Sequence, residues 1–378
     1  MPDHSDVAAW RQHLHAHPET GFEEHATAAF VAEKLRAFGL EVTTGIGGTG
    51  VVATLRSGGA NTRAIGLRAD MDALLITEAT DLPYRSQNPG RMHACGHDGH
   101  MAALLGAART LAAARDLPGT VHFIFQPAEE HGRGMQVMLA DGLLARFPMD
   151  EAYGIHNMPG LPLGTFATRP GPLMAAEDNF VIEITGVGVH AARPHMGVDP
   201  ILTGSAIVMA LQQIVARRLD PVDPAVVSIT EFLTDGTRNV IPTTVTIKGD
   251  TRSYRPDISA TIEAEMRRIA TSTAAAHNAT ATVDYTREFI PTTNHPAQTE
   301  AALAAAAPHF TTIDPDCAPL MGSEDFAHLL THIPGNFAFI GNGTDCANLH
   351  NPHYNYDDAA LPATIAYLCG IARSRLSV

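Results

Sequence analysis

No apolar run in the 378-residue chain is long enough to cross a membrane; the longest are alanine-rich and broken by charge. The opening stretch MPDHSDVAAWRQ lacks a basic region followed by an apolar one, so no secretory signal is expected there. Positive charge is scarce as well. Lys and Arg number 25 against 40 Asp and Glu, a net charge of -15, and this argues against the basic footprint that sequence-independent nucleic-acid binding needs. Cysteine is scarcer still. Cys95, Cys317, Cys346 and Cys369 are too few and too widely spaced for a disulfide framework, and they read as free thiols of a reducing, cytoplasmic compartment. Apolar residues make up 45% of the chain and charged residues 17%, the composition of a folded protein rather than a disordered one. What the chain has in plenty is histidine, twenty in all, and a length that suits two domains better than one core.

The order of elements points to an α/β fold. Apolar residues at helical spacing fill DVAAWRQHLHAHP and EEHATAAFVAEKLRAFGL, the second closed by Gly39. Short apolar strands follow at 51–55, 64–69, 121–125, 153–155 and 337–340, with helices at 99–114 and 136–140. That alternation predicts a mostly parallel central sheet flanked by helices. Between 178 and 288 the order becomes βαββαβ, with strands near 180–185, 226–232, 243–251 and 279–285 and helices near 201–219 and 258–276. Such a segment forms a ferredoxin-like α+β sheet of its own. The chain is therefore read as a catalytic domain in two parts, 1–177 and 289–378, interrupted by an inserted domain at 178–288.

Polar clusters sit just after predicted strands, where open α/β sheets bind ligands. LRADMDAL ends a strand at Asp70 and Asp72, FIFQPAEE ends one at Glu129 and Glu130, and GIHNMPG ends one at His156. HACGHDGH, residues 93–100, forms the loop that enters a helix. Its Cys95-x-His97 spacing can place a thiolate and an imidazole on one cation, or can be a buried cysteine beside surface histidines. Adjacent Glu129 and Glu130 point different ways in an extended stretch, so one can hold a metal while the other faces substrate as a base; an exposed acidic turn is the other reading. Asp70 and Asp72 at i, i+2 share one strand face, as a carboxylate orienting a histidine or as a helix cap. His350, in a polar loop, is a ligand candidate only in company with the others.

Ten segments occur together in one order: LHAHPETGFEE, LRADMDAL, MHACGHDGHMA, FIFQPAEE, GIHNMPGLPLG, GVGVHAARPH, RNVIP, GDTRSY, MGSEDFA and LHNPHYNYDD. In these the chain resembles, over nearly its whole length, the metal-dependent amidohydrolases that include hippurate hydrolases, N-acyl-amino-acid deacylases and auxin-conjugate hydrolases, relatives of the dimetal aminoacylases and carboxypeptidase G-like peptidases. The resemblance implies two divalent cations per subunit, manganese, zinc, cobalt or nickel. Their ligands would be Cys95 as a bridging thiolate, His97, Glu130, His156 and His350. Glu129 would be the catalytic base and Asp72 the orienting carboxylate. His190 would stabilise the oxyanion across a homodimer formed through the inserted lid domain, with Asn239 and Arg252 contacting substrate. Three departures stand out: Leu75 in place of proline, Val189 in place of glycine before His190, and His131 with Arg133 after the Glu-Glu pair. The expected reaction is hydrolysis of the amide bond of a small N-acyl or N-aroyl amino acid, without nucleic-acid or membrane partners. Short-peptide hydrolysis on the same site, a Cys95 nucleophile with His97 or His100 as base, and a non-catalytic binding protein are the alternatives.

Overall fold

A computed structural model describes residues 5–56 and 63–377. The chain divides into two compact units. The first comprises residues 1–173, 292–318 and 324–378, and the second residues 174–291 with 319–323. No helix among the described residues is long and apolar enough to cross a membrane.

The first unit is built on an eight-stranded sheet in the order Glu41–Ile46, Gly50–Arg56, Thr120–Gln126, Ala64–Asp70, Glu151–Met158, Gly335–Gly341, Thr165–Ala167 and Thr312–Asp314. The four middle strands, from Thr120–Gln126 to Gly335–Gly341, are mutually parallel. They are buried along almost their entire length, as strands covered on both faces must be, and they read as continuous apolar runs. The strand Glu41–Ile46 carries no such signal, because it is an antiparallel edge with only Ile46 fully buried. Helix His97–Ala114 is buried over nearly all its residues. Alanine and glycine suit it to close neighbours: a Cβ added at Gly106 would lie 2.7 Å from Ile365. That Ile belongs to helix Leu361–Leu376, which packs against it.

The second unit has a four-stranded antiparallel sheet in the order Ala225–Thr234, Thr244–Ser253, Ala176–Thr185 and Thr280–Phe289. Strand Ala176–Thr185 alternates buried and open residues, with Phe180, Ile182 and Ile184 inward. They meet Ile207 and Leu211 of helix Pro200–Leu211, and Ile262, Met266 and Ile269 of helix Pro256–Ala276. Asp199 caps the first helix by accepting the N–H groups of Ile201 and Leu202. The single helix expected over 201–219 instead ends at Leu211 and continues as a wider turn, Ile214–Arg218, that keeps Ile214 buried.

Candidate metal centre

The site is assembled at the carboxyl ends of the parallel strands of the first unit. From Ala64–Asp70 the chain crosses to Thr120–Gln126 on one side, then passes over to Glu151–Met158 on the other. Where strand order reverses in this way, loops part and leave room for a ligand. Asp70 closes the first of these strands, Glu129 and Glu130 lie in a tight turn after the second, and His156 lies near the end of the third. His97 begins the long helix. Gly96 before it has φ +89°, and a Cβ there would fall 2.2 Å from the Asn157 side chain and 2.5 Å from the Tyr354 hydroxyl, so only glycine fits.

Five donor residues converge. Cys95, His97 and His156 form one group and Cys95, Glu130 and His350 a second; the ligand atoms within each lie within 4.8 Å of one another. Cys95 is common to both. A third group, His97 with Glu129 and Glu130, overlaps them. Cys95 Sγ is 3.3 Å from His156 Nε2, and Glu130 Oε1 is 3.4 Å from His350 Nε2. The ring orientations are fixed from behind. His97 Nδ1 donates to the Asp72 carbonyl at 2.9 Å, and His156 Nδ1 to the Asn157 carbonyl at 2.6 Å, so each Nε2 is the end turned to the cluster. Among the described residues, His97 Nε2 and Glu130 Oε1 are buried without a hydrogen-bond partner. Two buried polar atoms left so are expensive, and a cation between them removes the cost.

The electrostatics agree. Burial works against a charged His97, but Asp70, Asp72 and Glu130 outweigh it and carry its pKa up to about 10. A proton thus sits where the surrounding acids call for positive charge. Burial, with Glu130 and Glu129 beside it, pushes the Cys95 thiol well up. An unassisted thiolate is therefore disfavoured, which counts against the nucleophile reading. Burial, reinforced by His100, holds His156 well down and neutral, the form that coordinates. Burial and the neighbouring Glu324, Glu130 and Asp325 push the Glu129 carboxyl well up.

Around the donors lies a polar frame. Strand Ala64–Asp70 ends before Asp72, so the two aspartates do not share a strand face as their spacing suggested. Asp72 instead accepts the N–H groups of Glu129 and Glu130, each at 3.0 Å. Asp70 bonds His100 Nδ1 at 2.6 Å, and His100 meets Asn157. Arg68, wholly buried, pairs with Asp70 and Glu324 at 2.8 Å and with Asp325 at 3.3 Å. Sequence reasoning assigned no role to Arg68, Glu324 or Asp325. Their signals were an arginine inside an apolar strand and the Glu-Asp pair of MGSEDFA.

His190, Asn239 and Arg252 lie in the second unit. The short strand Val189–His190 pairs with Val240–Ile241, and Ala191 N–H donates to the Asn239 carbonyl at 3.0 Å, so His190 and Asn239 are neighbours. Ala192 N–H donates to His190 Nδ1 at 3.0 Å, which leaves Nε2 as the protonated, donating end. Arg252 is engaged within its own unit, by Glu177 at 2.7 Å, Asp250 at 2.6 Å and the Ser323 hydroxyl at 3.0 Å.

The comparisons with known proteins fit this geometry. Residues 66–374 match peptidase family M20/M25/M40. The chain is 41% identical over 355 residues to an N-acetyl-L-cysteine deacetylase of Bacillus subtilis, covering 93% of this chain and 83% of that one. It is 38% identical over 366 residues to the hippurate hydrolase of Campylobacter jejuni, covering 96% and 94%. Among solved structures it is similar to a dinuclear metal-binding peptidase of the M20 family from Bacillus subtilis, with 34% identity, a TM-score of 0.87 and coverage of 99% and 98%. The chain belongs to peptidase family M20/M25/M40, and it is a metal-dependent amidohydrolase.

Proposed function

We propose that the protein hydrolyses the amide bond of N-acyl or N-aroyl amino acids at a two-cation centre, releasing a carboxylate and a free amino acid. The observation that carries the reading is the pair of donor groups sharing Cys95, with Glu129 beside them. Cys95, His97, Glu130, His156 and His350 would hold the cations. A thiolate with imidazoles and a carboxylate suits zinc, and the oxygen and nitrogen donors also suit manganese, cobalt or nickel. Bound there, the cations supply polarisation of the scissile carbonyl and acidification of a water.

This chain's own residues do the rest. Glu129, its carboxyl raised by burial and like charge, takes the proton of the attacking water and gives it to the leaving amine. Asp72 holds the turn that carries Glu129 and Glu130 through their backbone N–H groups. His190, whose Nε2 is the donating end, is assigned the developing oxyanion. Asn239 and Arg252 are assigned the amino-acid half of the substrate, with the planar guanidinium matched to its carboxylate. The exposed apolar residues Leu202 (60%), Met209 (73%), Phe232 and Leu233 lie on a helix and the edge strand of the second unit, and they support a homodimer formed there. The four free cysteines fit a cytoplasmic location.

A hydrolysis screen of N-acyl amino acids on metal-reconstituted protein, with elemental analysis of the same sample, tests the reading. It expects amino-acid release that a chelator abolishes and divalent metal restores. Full activity after exhaustive metal removal would overturn it.

A further inference from the structure

We infer that Glu24 is a positioning residue for the base Glu129; the inference rests on the reading of Glu129 given above. Glu24 is fully buried immediately before helix His25–Ala37. Its Oε1 accepts the backbone N–H of Ala128 at 2.8 Å, and its Oε2 accepts the Thr49 hydroxyl at 2.5 Å. A buried carboxylate served by two neutral donors is costly to keep, and its retention calls for a task.

The task lies in the residue it grips. Ala128 directly precedes Glu129 and has φ 50° and ψ 44°, a left-handed conformation that a residue with a Cβ seldom adopts. That conformation turns the chain sharply out of strand Thr120–Gln126 and into the turn bearing Glu129 and Glu130. Asp72 takes the N–H groups of Glu129 and Glu130. Three successive backbone donors, at 128, 129 and 130, are thus bound by two buried carboxylates. Successive N–H groups in such a turn form an anion nest, and here the nest is filled by the protein's own acids. Asp72 secures the turn itself, and Glu24 secures the unfavourable residue that leads into it. Without Glu24, the Ala128 N–H is buried with no acceptor, and only the Gly134 N–H on the Ala128 carbonyl and the Asp72 contacts that follow are left to oppose relaxation of its backbone. Glu129 then shifts, while the Asp72 contacts can follow.

The test compares Glu24→Ala, Glu24→Gln and the double variant Glu24→Ala with Ala128→Gly, each metal-loaded, on an N-acyl amino acid substrate. kcat, KM, metal content and the thermal unfolding midpoint are read together. Glu24→Ala lowers kcat about tenfold to a hundredfold, the scale set by small misplacement of a catalytic group, with KM and metal content held. Glu24→Gln keeps an acceptor for Ala128 and stays within about threefold of the parent. Ala128→Gly restores about tenfold to Glu24→Ala, because glycine enters the left-handed region unaided. Should Glu24→Ala not fold, Glu24→Asp, one methylene short, carries the same comparison. Undiminished kcat in Glu24→Ala overturns the inference. So does a loss that tracks metal content, or one that neither Glu24→Gln nor Ala128→Gly relieves. A fully active Glu129→Gln variant sinks the base reading itself, whereas an inactive Glu129→Gln beside a fully active Glu24→Ala sinks only this inference.

Discussion

The two units place their reactive side chains in opposite ways. In the first, Cys95, His97, Glu129 and His156 are buried, and they come from a helix start and the ends of strands up to sixty residues apart or more. Every one leans on a polar neighbour that is itself buried. In the second, His190 and Asn239 are exposed and share a two-strand ribbon, and Arg252 is half-buried and held by Asp250 close in sequence and by Glu177 and Ser323 far from it. Burial raises the proton affinity of a carboxyl or thiol, lowers that of an imidazole and strips water from a cation site, so groups that handle protons and metal are tuned by it. Groups that meet a substrate need to remain reachable. The difference is that four members of the candidate metal centre are interior, whereas His350 and the residues proposed to meet substrate are open or half-open, and each arrangement can be broken separately.

The largest expected effect is at the base. Glu129→Gln should lower kcat by about a hundredfold to ten-thousandfold, while elemental analysis still finds metal. Removing the proposed oxyanion donor by His190→Ala should cost about a hundredfold to a thousandfold in kcat, again with metal retained. Mixed Glu129→Gln and His190→Ala subunits should recover activity in verified heterodimers; no recovery would count against a shared site. Arg252→Ala should act differently, raising KM about tenfold or more for substrates with a free carboxylate and leaving the corresponding amides unchanged.

A pH titration of metal affinity probes the buried side of the comparison. His97 sits at about 10 in the metal-free protein, above its ordinary value, so it holds a proton at neutral pH that the cation must displace. Affinity should therefore rise as pH rises and weaken as pH falls from about 8 to 6. Calorimetric binding that is flat across that range would contradict the assignment of His97. The smallest effect belongs to the other unit: Asp199→Ala removes a helix cap and should cost about 1 kcal/mol in its unfolding, with metal content of the first unit untouched.

Much of this was legible in the sequence. The parallel strands show as apolar runs because they are covered on both faces, and strand Ala176–Thr185 shows its alternation because only one face is. The alternation of strands and helices gave the fold class, and the polar strand ends pointed to one crevice. The supports were harder to see. A strand period placed Asp70 and Asp72 on one face, yet the strand stops at Asp70, and Asp72 spends its carboxylate on backbone N–H groups that no side-chain pattern announces. Arg68 and Glu324 lie 256 residues apart, and their pairing exists only in the folded sheet. Glu24 read as one acid among several in PETGFEEH, because a residue that serves a backbone amide leaves no partner in the sequence to match it with.

The sharing of Cys95 by two donor groups has a consequence for occupancy. Two cations held through one sulfur would not be independent guests. Removing the proton of that buried thiol would be a cost the two share, and a change at Cys95 would be felt at both positions at once.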